Sequence, residues 1–368
     1  MQYSGFPKDG LRVVCTATLR PDEPFVRWRI RVDVPAGLVL EETAFPLVVL
    51  RTPLEGDGSG DAMVLGLTKG GVLRRPVAMK AGSRLAGRQP GSLAAQFATC
   101  YQPRAGFYTA AYDGKGFPKE TWFGRTADGV ESGWRLFSFV SGRFEPGFDL
   151  VQGTFVPATG AADWRDAADL YKTWAVTQPW CARPYAQRRD LPAWMKAGPA
   201  MVRFNRTWLA EPEQIEAWRA AYWEPHFGDV PLVTAYWGWE KVESWVTPDY
   251  FPVYPSDEAF TRLVAVLRRQ GCHAFPWPSG YHWTLTFNRQ ADGGFSWDDR
   301  ARFDAVARAH AVHQRDGSLY VRQPSWLRGG STACLCPGDP WTINWWNRDV
   351  CLPLARRGAE LIQVDQVV

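Results

Sequence analysis

The stretch Ala200-Met-Val-Arg-Phe-Asn-Arg-Thr-Trp208 is a short apolar run followed by a polar segment without glycine. The run Ala200–Phe204 predicts a buried strand. A dinucleotide-binding fold places a Gly-rich phosphate loop directly after its first strand, and this segment has none. The stretch therefore favours a (β/α)8 barrel over a doubly wound nucleotide-binding sheet.

Three more apolar runs follow, and amphipathic helical patterns separate them. The predicted strands are 231–236, 273–277 and 360–365. The predicted helices begin at Pro212, after Ser256, at Ser296 with Asp299 and after Asp339, and the third of them extends to about residue 313. Strands that alternate with helices, without a long antiparallel interruption, predict a parallel sheet.

A complete barrel needs eight strand–helix units, and the pattern supplies about four. We therefore predict that residues 196–368 form the first half of a barrel, and that the chain is a fragment or is completed by something else.

The N-terminal part of the chain has the alternating pattern of antiparallel strands. In Phe25-Val-Arg-Trp-Arg-Ile-Arg-Val-Asp-Val34, apolar and charged side chains alternate with period two. Similar runs cover 11–19, 38–50, 62–67, 93–101, 106–112, 134–140 and 148–156, with Gly-rich turns between several of them. Residues 1–158 are predicted to form a β-sandwich, and residues 159–195 a connector that contains a helix over 161–177 followed by a linker.

Composition excludes several classes of protein. The 42 basic and 38 acidic residues are dispersed along the 368-residue chain and give a net charge of +4. The basic residues form no block that could bind the phosphate backbone of a nucleic acid. No apolar stretch is long enough to span a membrane, and the chain is predicted to be soluble and globular. Residues 1–20 lack a signal-peptide pattern, which leaves a cytoplasmic protein or an exported one whose N-terminus is missing.

The sequence predicts neither a cofactor nor a metal. Its seven cysteines are scattered, without paired metal-binding spacing, and nothing indicates an oligomeric state. The 20 tryptophans are concentrated in the second half of the chain. Indole rings stack on the apolar faces of ligands and also fill cores, so each one has two interpretations.

Candidate functional residues follow the predicted strands, because loops at the carboxyl ends of parallel strands converge on one face. They are Asn205, Trp237, Trp239, Glu240, Trp277, Ser279, Asp365 and Gln366. Of these, Asp365 ends a buried strand and is the candidate catalytic residue. A carboxylate there either attacks an anomeric carbon, with a second acid as proton donor, or caps the following turn.

The remaining candidates are predicted to bind substrate, and Trp237, Trp239 and Glu240 also have a structural interpretation. Trp237 and Trp239 flank Gly238 and form either a wall for a sugar ring or packing at the top of the barrel. Glu240 is a possible acid partner, although an exposed acid beside Lys241 is the favoured interpretation.

Several segments together resemble a glycoside-hydrolase-like family known mainly as a domain of unknown function, distantly related to α-galactosidases and endo-α-N-acetylgalactosaminidases. The segments that carry the resemblance are 42–46, 56–60, 95–98, 106–113, Asp163-Trp-Arg-Asp-Ala-Ala-Asp-Leu-Tyr-Lys-Thr-Trp174, Cys336-Pro-Gly-Asp-Pro-Trp341 and Gly358-Ala-Glu-Leu-Ile-Gln-Val-Asp-Gln366. Their order and spacing over nearly the whole chain carry more weight than any one of them.

The resemblance implies a β-sandwich that leads into a catalytic barrel. It also implies a retaining mechanism in which Asp365, at the end of the fourth strand, is the nucleophile and the general acid lies beyond Val368. The first hypothesis is therefore a glycosidase acting on a polysaccharide or glycoconjugate glycan, inactive as the fragment given. The alternatives are a non-catalytic carbohydrate-binding protein and a structural module.

Overall fold

A computed structural model of the protein describes residues 2–3, 10–241, 247–289, 295–324, 327 and 329–364. The chain divides into two units, Met1–Pro184 and Tyr185–Val368, each with its own core. This division falls inside the predicted connector, and the domain limits 1–158, 159–195 and 196–368 stay predictions.

The N-terminal unit is built from antiparallel strands. Its strands are β1 (Gln2–Tyr3), β2 (Arg12–Leu19), β3 (Phe25–Val34), β4 (Leu40–Arg51), β5 (Ala62–Leu67), β6 (Leu73–Arg74), β7 (Arg84–Gln89), β8 (Leu93–Gln102), β9 (Ala105–Tyr112), β10 (Lys119–Arg125), β11 (Gly129–Val140), β12 (Gly142–Phe144) and β13 (Asp149–Phe155). One sheet has the order β1-β2-β3-β13-β9-β8-β5-β6, with β12 beside β3, and the other has the order β4-β11-β10-β7. The predicted strands of this region are confirmed.

The two sheets enclose a shared apolar core. Trp134 of β11 is fully buried, and its Nε1 donates to Thr109 Oγ1 of β9 at 2.9 Å. In β3, Ile30 and Val32 point into the core, as the period-two pattern predicts. Burial of such side chains contributes about 1.5–3 kcal/mol each and holds the sheets face to face.

Helix α1 (Trp164–Ala175) covers part of the larger sheet. Asp163 caps it by accepting a hydrogen bond from the Arg165 amide at 2.6 Å, and Asp166 accepts one from the Asp163 amide at 2.8 Å. This capping box sets the start of the helix. Short 3-10 turns lie at Pro76–Ala78 and Pro179–Cys181.

The C-terminal unit begins with a parallel sheet. Its elements are α2 (Ala193–Lys196), β14 (Ala200–Phe204), α3 (Arg206–Ala210), α4 (Pro212–Trp218), α5 (Glu224–Phe227), β15 (Leu232–Tyr236), α6 (Asp257–Arg269), β16 (Cys272–Pro276), β17 (His282–Arg289), β18 (Phe295–Asp298), α7 (Arg300–Val306), β19 (Val321–Arg322), β20 (Ser331–Cys334), α8 (Pro340–Trp346) and α9 (Leu352–Arg356). The π-helical segments Arg219–Trp223 and Asn347–Cys351 join neighbouring helices, and 3-10 turns lie at Tyr185–Gln187 and Arg308–His310. Strands β14, β15 and β16 pair in parallel.

Helix α6 has the buried apolar stripe and the capping residue that its sequence pattern predicts. The Ser256 hydroxyl accepts from the Ala259 amide at 3.2 Å at its start, and the predicted stripe that contains Phe260, Leu263 and Leu267 is fully buried. Among the described residues, no helix combines the length and the apolar character needed to cross a membrane.

The prediction of an uninterrupted alternation of strands and helices is wrong. An antiparallel sheet with the order β18-β17-β20-β19 lies between β16 and α8. Its central strand β17 is buried on both faces from His282 to Leu285, so it lacks the alternation that marks a strand in sequence.

The predicted third helix and fourth strand are also corrected. Ser296 lies in β18 instead of starting a helix, so α7 begins later than predicted, at Arg300. The Asp299 carboxylate, just before α7, accepts a hydrogen bond from Trp283 Nε1 at 2.7 Å. Residues 360–364 form no strand, although the amides of Glu360 and Leu361 lie 3.2 and 3.4 Å from the Ala274 carbonyl of β16.

A buried ion pair joins the two sheets of the N-terminal unit. Lys119 Nζ, on β10, lies 2.7 Å from Asp113 Oδ2, just after β9, and the side chains are 0% and 2% exposed. Burial opposes ionisation of Asp113, but hydrogen bonds from Lys119 and from the Lys115 amide hold the pKa of this carboxyl below its usual value. The Asp113 carboxyl therefore stays ionised at neutral pH. Burial lowers the pKa of Lys119, and the hydrogen bond to Asp113 opposes that shift.

We expect Lys119→Met to lower the free energy of unfolding of the N-terminal unit by about 3–5 kcal/mol, because it leaves a buried carboxylate without its counter-charge. Urea denaturation followed by circular dichroism measures the loss. Asp113→Asn combined with Lys119→Met should recover much of it, and Lys115→Met, at an exposed neighbour, should change little. A loss below about 1 kcal/mol for Lys119→Met would mean that the pair contributes little.

Candidate functional site

The carboxyl ends of the three parallel strands are aligned. Phe204 of β14 pairs with Tyr236 of β15, and Tyr236 pairs with Pro276 of β16. The residues that follow these three therefore lie at the same edge of the sheet. They are Asn205, Trp237 and Trp277, all predicted site residues. We call this edge the carboxyl edge.

Two half-buried indoles form its aromatic part. The rings of Trp237 and Trp277 meet edge to face, with centroids 5.5 Å apart and planes at 84°. The Arg203 guanidinium carbon lies 4.1 Å from the centroid of the Trp237 ring. Such a cation–π contact fixes the orientation of a ring that stays partly accessible.

Trp237 and Trp239 do not share one surface. Trp239 is fully buried and stacks on Tyr250 at 5.4 Å, while Trp237 remains at the edge. Gly238 lies between them with φ +75°, a conformation that L side chains rarely adopt. The turn at this glycine therefore sends one indole into the core and leaves the other accessible.

Glu240 is fully buried, so its favoured interpretation as an exposed acid is wrong. Its neighbour Lys241 is exposed and pairs with Asp249 at 3.3 Å. Sequence reasoning had no signal for this difference, because adjacent charged residues in a loop are ordinarily both solvated.

A cluster of three buried hydroxyls lies beside Glu240, formed by Thr247, Tyr250 and Ser279. The oxygens of Thr247 and Ser279 are 2.7 Å apart, and each is 2.8 Å from the Tyr250 oxygen. Burial raises the pKa of Tyr250, and the negative charge of Glu240 raises it further. The phenol therefore stays protonated at neutral pH and keeps a proton to donate.

Sequence reasoning found Ser279 but missed Thr247 and Tyr250. Both lie in the Pro-rich segment 247–255, which carries neither a strand nor a helix pattern. The Ser279 hydroxyl is 1% exposed and engaged inside the cluster, whereas Asn205 is exposed and accepts from Thr207 Oγ1 at 2.6 Å. The candidates Asp365 and Gln366 lie outside the described residues.

His282 follows the same loop into β17 and is buried. Burial lowers its pKa to about 4, so the ring is neutral at physiological pH. Neither ring nitrogen has a hydrogen-bond partner within the described part of the chain. In that same part, no group of three His, Cys, Asp or Glu side chains is placed to hold a metal ion.

Comparison with solved structures identifies the class of fold. The structure is similar to the α-N-acetylgalactosaminidase NagBb from Bifidobacterium bifidum in its GalNAc complex, with 12% identity and a TM-score of 0.63 over 99% of this chain and 59% of that one. The ligand-free form of NagBb gives 13% identity and a TM-score of 0.56 over 100% and 62%. The GH36 α-galactosidase AgaB from Geobacillus stearothermophilus gives 11% identity and a TM-score of 0.50 over 96% and 46%.

The chain therefore has a fold similar to that of these glycoside hydrolases. It belongs to the family described as domain of unknown function DUF6259, which matches residues 150–368. No curated protein sequence matches the chain. The chain spans about 59% of the length of the NagBb structure to which it is similar.

We expect Tyr250→Phe to lower the free energy of unfolding by about 1–3 kcal/mol, because it removes one member of the buried hydroxyl cluster and the acceptor of the Ser279 amide at 3.3 Å. Thermal or urea denaturation measures the change. Tyr222→Phe, at a tyrosine that is 64% exposed, is the matched control and should be neutral. Equal stability of the two variants would show that the cluster adds nothing.

Proposed function

We propose that the intact protein is a retaining glycoside hydrolase that cleaves O-glycosidic bonds of a polysaccharide or glycoconjugate glycan. The observation that carries the proposal is the carboxyl edge, where aligned strand ends present Trp237 and Trp277 beside Arg203 and the buried Glu240. Accessible ring faces beside fixed polar groups suit the alternating apolar and hydroxylated faces of a sugar. The likeness to an α-N-acetylgalactosaminidase fold supports it.

Each site residue has a role in this proposal. Trp237 and Trp277 stack on the sugar, and the fully buried Trp239 and Glu240 support the loop from the core. Hydrogen bonds from the Asn205 amide and Gln366 orient the ring, while Ser279 holds the loop through the buried hydroxyl cluster, without a cofactor or a metal.

We propose that residues 196–368 belong to a (β/α)8 barrel and that Asp365 follows the segment 360–364, whose first two amides lie 3.2 and 3.4 Å from the Ala274 carbonyl of β16. The Asp365 carboxylate would attack the anomeric carbon while the glycosidic oxygen leaves and takes a proton from a second carboxylic acid. Water, deprotonated by that second residue, would then attack the glycosyl–Asp365 ester and release the sugar. We place the second acid on a later strand of the barrel, and so assign turnover to the complete protein and not to this chain alone.

Glycosyl fluorides test the nucleophile without the general acid, because a fluoride ion leaves without a proton donor. We expect the 368-residue chain to be labelled by one of a panel of fluorinated glycosyl fluorides, including galactosyl and N-acetylgalactosaminyl α-anomers. Mass spectrometry should find one added glycosyl unit on the peptide that contains Asp365. Asp365→Asn should abolish the labelling.

Asp349→Asn is the control, because that exposed carboxylate pairs only with its neighbour Arg348 in the described contacts. It should label like the wild type. A label on another residue, or hydrolysis of aryl glycosides that survives Asp365→Asn, would overturn the assignment. Glycan binding by a folded chain that is never labelled would instead favour the non-catalytic carbohydrate-binding protein.

Trp237→Ala tests the stacking surface. Loss of one aromatic contact, worth about 1 kcal/mol, should slow labelling at low reagent concentration roughly fivefold. Because stacking acts on binding, the labelling rate at saturating reagent should change less. Tyr222→Ala, which removes an exposed aromatic side chain elsewhere, should leave both rates unchanged. Equal effects of the two substitutions would exclude Trp237 from the site.

A further inference from the structure

The N-terminal unit contains a cavity of about 460 Å³. Its lining residues lie between positions 89 and 180 of the chain, before the segments that form the carboxyl edge. Its walls come from the end of β7, the start of β8, the turn 114–116, the second half of α1 and the turn Pro179–Cys181. Cavities of about 300–1,000 Å³ are typical of small-molecule sites. Every described lining residue belongs to the N-terminal unit.

An exposed indole on a rigid support lies at this cavity. Trp180 is 51% exposed, and its ring meets Trp174 edge to face at 5.8 Å. Trp174 in turn stacks flat on Tyr112 at 4.9 Å with planes only 2° apart. Apolar surface left accessible on a side chain that is held in place suits stacking against a ligand.

The polar wall is also held in place. Gln96 Nε2 donates to the Asp113 carbonyl at 2.9 Å, and the Asp113 carboxylate is fixed by Lys119 Nζ at 2.7 Å and by the Lys115 amide at 2.8 Å. The buried ion pair that joins the sheets therefore also fixes the turn that lines the cavity. A preformed polar wall lowers the entropic cost of binding a ligand.

The chemistry of the lining selects the ligand. The polar residues Gln89, Gln96, Tyr171 and Lys115 line the same cavity as Trp180. No aspartate or glutamate is among the described lining residues, so a cation has no counter-charge there. Amides and a hydroxyl beside an exposed indole match the hydroxyls and the apolar ring face of a sugar.

We propose that this cavity is an accessory carbohydrate-binding site that takes one or two sugar units of a neutral or acidic glycan. It holds the protein on its polymer without taking part in bond cleavage. The proposal rests on the lining residues alone and does not require Asp365 to be the nucleophile.

Affinity electrophoresis of the full chain tests it, in native gels containing gastric mucin, desialylated mucin, galactomannan or no polysaccharide. We expect the wild-type chain to be retarded by at least one polysaccharide, and Trp180→Ala to weaken the apparent affinity about tenfold. Gln89→Ala, at a half-buried position of the cavity wall, should weaken it in the same gel. Both substitutions preserve net charge, so retardation of a basic chain by acidic mucin through charge alone would persist in both.

Tyr222→Ala is the control for loss of an exposed aromatic side chain and should run like the wild type. The two mucins distinguish an acidic from a neutral ligand. Retardation that survives both Trp180→Ala and Gln89→Ala, or no retardation in any gel, would overturn the accessory site. Labelling of Asp365 by a small glycosyl fluoride should be unchanged in Trp180→Ala, so failure of this proposal and failure of the proposed hydrolase are distinguishable.

Discussion

The parallel register of β14, β15 and β16 is the constraint on which the candidate site depends. Because Phe204, Tyr236 and Pro276 pair in one row, the residues that follow them leave the sheet at one edge. A shift of this register by one residue would exchange the two faces of a strand and send Trp237 to a different side. The register is held by apolar burial: all of β15 is buried, and its side chains pack against α6 and neighbouring elements in a single core. Local geometry at the edge is therefore set by packing underneath it.

Sequence periodicity predicted those elements in which one face is buried and the other solvated. Strand β3 and helix α6 are such elements, and their patterns gave the right type of structure and nearly the right ends. Strands β10 and β17 were missed because they are buried on both sides along much of their length, which removes the alternation. In β10 the reading was further obscured by Lys119 and Glu120, which are charged and buried. Their burial depends on ion-pair partners outside β10, which are Asp113 for Lys119 and Arg84 and Arg88 for Glu120, and no local pattern reports those partners.

The candidate site was predictable in position but not in detail. The rule that functional side chains follow parallel strands placed Asn205, Trp237 and Trp277 together, and the aligned register accounts for it. The same rule could not separate Trp237 from Trp239, since the division depends on the left-handed backbone of Gly238. It also could not find Tyr250, which is held at the edge by a hydrogen bond with Ser279 and by stacking on Trp239. Contacts formed between distant segments are invisible to periodicity.

The arrangement around Trp237 and the arrangement around Trp180 follow one physical rule. An accessible indole recognises a ligand specifically only if its orientation is fixed before binding, since ordering a free side chain costs conformational entropy. Arg203 supplies that fixation for Trp237, and the stack of Trp174 on Tyr112 supplies it for Trp180. Both rings remain partly accessible, because Trp180 is 51% exposed and Trp237 is half-buried. Some tryptophans, such as Trp174, therefore hold a neighbouring ring in place, and others, such as Trp180 and Trp237, stay accessible to a ligand.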